Sequence, residues 1–177
     1  NSESLIGVTT YNRDVTYSEG IAIGSIVELD EHRHVEPVKY PPGNGVWRLL
    51  MAPMVQGRSW LHRLALMVLL PLKEPVNYLR TFFVDDWSKR THILLYMESL
   101  DSTLRMRRGS TGGMGSTMEQ GPAPTAFNPQ AQDLARRVEA IVNGKAMVLA
   151  HETLLGIPST AHILGGACMG ADASSGV

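Results

Sequence analysis

His32-Arg33-His34-Val35-Glu36-Pro37-Val38-Lys39-Tyr40 (HRHVEPVKY) is the stretch on which the fold turns. At a period of two, His34, Glu36, Val38 and Tyr40 share one face, and Val35, Pro37 and Lys39 share the other. Proline has no N–H to give to a ladder, so Pro37 predicts an edge strand or a bulged one. Ahead of it, Ile21, Ile23, Val27 and Leu29 fall at even spacing, which predicts a half-buried strand over residues 17–29. Asp30-Glu31 between the two runs closes them into a hairpin.

Outward from this hairpin, Pro41-Pro42-Gly43-Asn44-Gly45 is a turn cluster. Residues 46–54 and 57–72 then read as helical, interrupted at Pro53 and Gly57. Their apolar content is too continuous for a two-faced surface helix, which predicts burial, or exposure only towards a ligand or partner. The longest apolar run, Leu64 to Leu72, is far shorter than the ~20 residues a bilayer crossing needs and carries Pro71. It reads as a buried or lid-like helix.

A further strand is predicted over residues 90–100, where His92, Leu94, Tyr96 and Glu98 alternate with Ile93, Leu95, Met97 and Ser99. Leu104 to Arg107 could pair back on it across Asp101-Ser102. Residues 109–127, rich in Gly, Ser, Thr and Pro, read as a long surface connection or an extended hairpin tip. A helix then starts at the cap Asn128 with Pro129 in its first position. Its stripe is Leu134, Val138, Ile141 and Val142, and it stops at Asn143-Gly144. The order strand, strand, helices, strand, strand, helix implies an α+β fold, an antiparallel sheet with helices packed on one side.

The 177 residues suffice for one domain with a real core. Sixteen Lys and Arg against 17 Asp and Glu give a formal charge of -1, so nothing electrostatic points to nucleic acid. Arg105-Met106-Arg107-Arg108 reads as a solvated loop edge. One cysteine, Cys168, excludes an internal disulfide and any multi-cysteine metal site. The compartment stays open between cytoplasmic and secreted. His32 and His34 stand two apart without a further local ligand, so no metal is expected. Gly112-Gly113-Met114-Gly115 lacks the Gly-Lys-Ser/Thr continuation of a phosphate loop and reads as a turn. There is no Gly-x-Ser-x-Gly elbow.

The stretch Ser159-Thr160-Ala161-His162-Ile163-Leu164-Gly165-Gly166 sets a histidine among small and apolar residues beside a glycine pair. Such a histidine can exchange a proton near neutral pH, although the same pattern also fits a hydrogen-bonded core histidine. Glycines let a backbone approach another body closely, either the core or a cofactor. Glu36 has two readings as well, a solvent-facing strand residue or an acid-base group.

Thr160-Ala161-His162-Ile163-Leu164-Gly165-Gly166 with Met169-Gly170 resembles the late motif of the glucose-methanol-choline oxidoreductases, in particular their bacterial cholesterol-oxidase-like branch. The resemblance continues over Asn1-Ser2-Glu3, His34 to Tyr40, and Trp87-Ser88 through Leu104. It implies an FAD-dependent oxidation of an alcohol, with His162 over the flavin beside the carbinol carbon and Gly165 and Gly166 making room for the isoalloxazine ring. It also implies Glu36, ahead of Pro42-Gly43, as the glutamate across the sterol. The implied partners are a hydrophobic alcohol or sterol and dioxygen or another electron acceptor, with transient membrane contact for substrate uptake. Residues 46–83 would suit a pocket or lid, or equally plain core helices. The alternatives are another alcohol substrate and a non-catalytic substrate-binding domain.

Under this resemblance, residues 1–16 are an exit segment from an FAD domain, 17–158 the substrate-binding domain and 159–177 the start of a returning C-terminal segment. The family's dinucleotide fingerprint is absent, as is the later asparagine that partners its histidine. The chain therefore reads as a fragment cut on both sides, with most of the Rossmann portion missing. Purified alone and supplied with FAD, it is expected to stay colourless; a stoichiometric yellow chromophore retained through gel filtration would contradict this.

Overall fold

A computed structural model describes residues 2–57, 59–162, 169–172 and 174. Its centre is a six-stranded antiparallel sheet built from β1 (Ser2–Thr10), β2 (Val27–Asp30), β3 (Arg33–Val38), β4 (Met51–Pro53), β5 (Thr91–Glu98) and β8 (Gly144–Leu149). The strand order is β2-β3-β5-β1-β8-β4. β6 (Thr103–Arg108) and β7 (Met114–Gln120) form a separate hairpin. The helices are α1 (Trp60–Lys73), α2 (Pro75–Phe82), α3 (Trp87–Arg90), α4 (Pro129–Val142) and α5 (Ala150–Leu155), and a 3-10 turn spans Gly45–Leu50.

The α+β class with an antiparallel sheet holds. Alternation along the strands gives the sheet two different faces. Ile6 and Val8 of β1, Val35 of β3, Leu94 and Tyr96 of β5, and Ala146 and Val148 of β8 point to one face and form the core under α4. Ala131 and Ala135 bring α4 close, and Leu134, Val138 and Val142 pack beside them. Ile141, expected on this stripe, is 80 % exposed because it lies at the far edge of the arc that Ala131 and Ala135 define. Helices do not keep to one side. Gly7 faces the opposite way from Ile6 and Val8, and a Cβ there would sit 3.4 Å from the ring of Trp87 on α3.

The α4 boundaries match their local signals. Asn128 Oδ1 accepts from the N–H groups of Gln130 and Ala131, and Asn143 ends the helix in the left-handed region at φ 49°. The β2–β3 hairpin also forms, with Val27 opposite Val35 and Glu28 opposite His34. Its first strand is only Val27–Asp30, not 17–29; Ile23 makes one isolated bridge to Val38. β3 is not an edge strand, since β5 pairs along its other side from Arg33 to Val38. Pro37 is tolerated because its missing N–H points the same way as that of Lys39, towards the β2 side. There β2 has already ended.

Other differences follow from tertiary pairing. Residues 2–10, over which no strand was predicted, form β1 in the middle of the sheet, between β5 and β8. Met51–Pro53 is strand β4 on β8 and not helix, while β8 and α5 carry no local signal strong enough to announce them. β6 pairs with β7, not with β5, and the glycine cluster is its turn, where Gly109 N–H donates to Gly113 O at 2.6 Å. Arg105–Arg108 therefore stand on an exposed strand, with Arg105 paired to Glu119.

Nor are α1 and α2 mostly buried. Leu61, Leu64, Val68, Leu69, Leu72, Val76 and Leu79 are exposed. Among the described residues no helix is long and apolar enough to cross a membrane. What fastens α1 is the buried Arg63, whose Nε and Nη2 donate to Leu154 O at 3.2 and 2.9 Å and whose Nη1 donates to Gly57 O at 2.8 Å. Its guanidinium also lies 5.0 Å from the centre of the Phe127 ring. Arg63→Ala strands these carbonyls and should lower the unfolding free energy by about 2–3 kcal/mol. Urea denaturation followed by tryptophan fluorescence measures this, and an unchanged midpoint would contradict it.

Candidate functional site

The sheet face turned away from α4 carries the polar groups. Register fixes which ones meet. Glu3 of β1 is opposite Met97 of β5, and Met97 is opposite His34 of β3; one step along, Leu5, Leu95 and Glu36 form the next row. Paired residues in an antiparallel ladder project to the same face, so Glu3 and Glu36 stand diagonally across β5. Met97 and Leu95 between them are buried and give an apolar floor.

His162 lies across this diagonal. The chain reaches it through a bridge between Glu3 and Ser159, where Glu3 N–H donates to Ser159 O at 3.0 Å. The buried Glu3 carboxylate then takes four hydrogen bonds from the next three residues. Thr160 Oγ1 donates to Oε1 at 2.7 Å, Ala161 N–H to Oε2 at 2.6 Å, His162 N–H to Oε1 at 3.1 Å, and His162 Nδ1 stands 3.0 Å from Oε1. The other ring nitrogen, Nε2, is 4.0 Å from Glu36 Oε2. His34 Nε2 lies 3.9 Å from Glu36 Oε1, so that carboxylate stands between two imidazoles.

Exposure separates the two carboxylates from the ring. The His162 side chain is 38 % exposed, Glu36 12 % and Glu3 2 %. A second buried acid, Glu152 of α5, braces the same segment. It accepts from Ser4 Oγ at 2.6 Å, from Ser159 Oγ at 2.7 Å and from Leu5 N–H at 3.3 Å.

Burial acts on both acids and hydrogen bonding decides between them. At Glu3 burial pushes the carboxyl up, but the donors of Ala161, Thr160 and His162 together outweigh it and hold the group below the usual carboxylate range. At Glu152 burial prevails over the hydrogen bonds from Ser4, Ser159 and Leu5, and the carboxyl is raised.

Of the residues singled out from the sequence, His162 and Glu36 come together here. Gly165 and Gly166 lie outside the described residues. Among the described residues no group of three or more His, Cys, Asp or Glu could hold a metal ion. Glu3 was the group missed as a side chain with a role. Its one signal is a charge at an inward position of a strand that continues as Leu5 and Gly7, and nothing local says what it meets 159 residues later.

Because Glu3 has a lowered folded value, its contribution to docking residues 159–162 is complete above the ordinary glutamate value of about 4.5 and is lost as pH falls through the lower folded value. Amide hydrogen exchange should therefore show Ala161 and His162 protected at pH 5 and deprotected on further acidification, ahead of global unfolding. Protection that persists until the core unfolds would contradict this.

No protein-family profile matches the sequence. No solved structure matches it either. Curated relatives do. The chain is 29 % identical over 180 aligned residues to a protein named cholesterol oxidase from Acinetobacter baumannii, and 34 % identical over 188 to proteins of the same name from two strains of Mycobacterium tuberculosis. In each case all of this chain is covered, and it spans 32 % of the relative's length. The likeness first carried by separated motifs thus extends along the entire chain: it is similar throughout to cholesterol oxidases, the branch of the glucose-methanol-choline oxidoreductases that those motifs resemble.

Proposed function

We propose that this chain is the substrate-binding part of a longer FAD-dependent oxidoreductase that oxidises the 3-hydroxyl of a sterol or a similar hydrophobic secondary alcohol. The observation that supports this most is the gap of 4.0 Å between His162 Nε2 and Glu36 Oε2. One hydroxyl oxygen can reach both atoms at an ordinary hydrogen-bond length of about 2.8 Å. The ring is open enough for a substrate to approach, and the Met97 and Leu95 floor is apolar.

His162 Nε2 takes the hydroxyl proton as the C–H bond of the carbinol carbon breaks. FAD, when bound, supplies the hydride acceptor. Dioxygen is the terminal acceptor and hydrogen peroxide the co-product. Glu36, on the other side of the hydroxyl, moves a proton next to the new ketone and so shifts a neighbouring ring double bond into conjugation. The exposed apolar side chains of α1 and α2 offer area that matches a rigid, greasy substrate or the membrane from which it is drawn.

The test uses the full-length protein that carries this chain, purified with its flavin and assayed for peroxide with a sterol and with a short polar alcohol. The sterol should be oxidised faster. His162→Ala should lower kcat/KM by about 10²- to 10⁴-fold, the range for loss of a positioned general base. Glu36→Gln should shift the product from the conjugated to the unconjugated ketone, read from the ultraviolet absorbance of the enone. Equal turnover of both alcohols, or an unaffected His162→Ala rate, would refute the assignment.

A further inference from the structure

We infer that Glu3 is a positioning residue for His162: its carboxylate holds the imidazole by Nδ1 and so keeps Nε2 turned towards Glu36 and the substrate hydroxyl. The inference rests on the reading of the site given above, and it adds a residue that this reading does not use.

The argument is one of donors and acceptors. An ionised carboxylate only accepts hydrogen bonds, so the ring nitrogen 3.0 Å from Glu3 Oε1 must carry a proton. In a neutral imidazole the lone pair is then on Nε2. Glu3 is the ionised partner this needs, because Thr160, Ala161 and the His162 N–H also donate to it and hold its carboxyl below the usual range. A lone pair on Nε2 is what proton transfer from an alcohol requires. With the proton on Nε2 instead, the ring could only donate there, towards Glu36, and could not act as the base.

Two buried acids grip the same short segment, and they divide the work. Glu152 holds Ser159 and, through Ser4 and the Leu5 N–H, strand β1, without touching the ring. Glu3 alone of the two reaches the imidazole. Loosening the segment and freeing the ring are therefore separable perturbations. Ser159→Ala removes a hydrogen bond to Glu152 and leaves Nδ1 its partner, whereas Glu3→Gln substitutes an amide that can offer the ring either a donor or an acceptor.

The experiment uses the full-length, flavin-loaded protein with ¹⁵N-labelled histidine, at a pH well above the ordinary histidine pKa of about 6.5. His162 is assigned by the signals that vanish in His162→Asn. In the wild type the Nδ1–H tautomer is expected. In Ser159→Ala it should persist, and in Glu3→Gln it should give way to a mixture. With a sterol substrate, kcat of Glu3→Gln should fall at least about 10-fold while KM stays within about twofold, because the loss lies in ring orientation and not in binding.

An Nε2–H tautomer in the wild type overturns the proposal without any variant, and so remains decisive if Glu3→Gln does not fold. An Nδ1–H tautomer and a kcat that both survive Glu3→Gln overturn it too. The outcomes also separate this inference from the function it rests on. If the wild type oxidises no alcohol yet shows an Nδ1–H signal that Glu3→Gln abolishes, the assignment of Glu3 stands and the function fails. If His162→Ala abolishes sterol oxidation and Glu3→Gln changes nothing, the function stands and the assignment of Glu3 fails.

Discussion

A buried carboxylate has to be satisfied, and that requirement at Glu3 governs how the two distant parts of this chain meet. An ionised group removed from water without partners would cost several kcal/mol. Glu3 meets the demand with donors from Thr160, Ala161 and both the backbone and ring of His162. The same bonds that keep the charge inside also fix where the histidine stands. Glu152 repeats the device next door, using Ser4, Ser159 and the Leu5 N–H, and the segment from Ser159 to His162 is thereby held along β1 from two sides.

The sheet converts this local clamp into a site. Its alternation assigns Ile6, Val8, Leu94, Tyr96 and Val148 to the core beneath α4 and leaves Glu3, Glu36 and His34 on the other face. Because β5 runs between β1 and β3, the two carboxylates are separated by one strand, a distance an imidazole can bridge. A slip of one residue in either pairing would exchange the faces and bury the wrong side chains, so the core under α4 is also what keeps the polar face in register.

The apolar surface of α1 and α2 follows a different logic. These helices are anchored by a few polar contacts, above all Arg63 on Leu154 and Gly57, and much of their hydrophobic surface faces outward. A patch of this kind is rare on a protein surface without a ligand or another body to cover it. The curated relatives are about three times as long as this chain.

How much was legible in the sequence varied with the range of the causes. The α4 boundaries were legible because Asn128, Pro129 and Asn143 act on neighbours a few residues away, and β3 and β5 because alternation is a local property. β1 was not, since its buried Ser and Thr residues look like loop until Thr91, Val142 and Glu152 supply their hydrogen bonds. β4 was read as helix because a three-residue strand has no period of its own; β8 supplies the pairing. The sequence by itself determined the class of fold and the two ends of α4, and it singled out His162 and Glu36 as candidates. Only the tertiary structure decided that Glu3 faces Nδ1 and Glu36 faces Nε2. Local propensity is written in adjacent residues, whereas a hydrogen bond across 159 positions exists only once strand register and a buried charge have brought its two ends together.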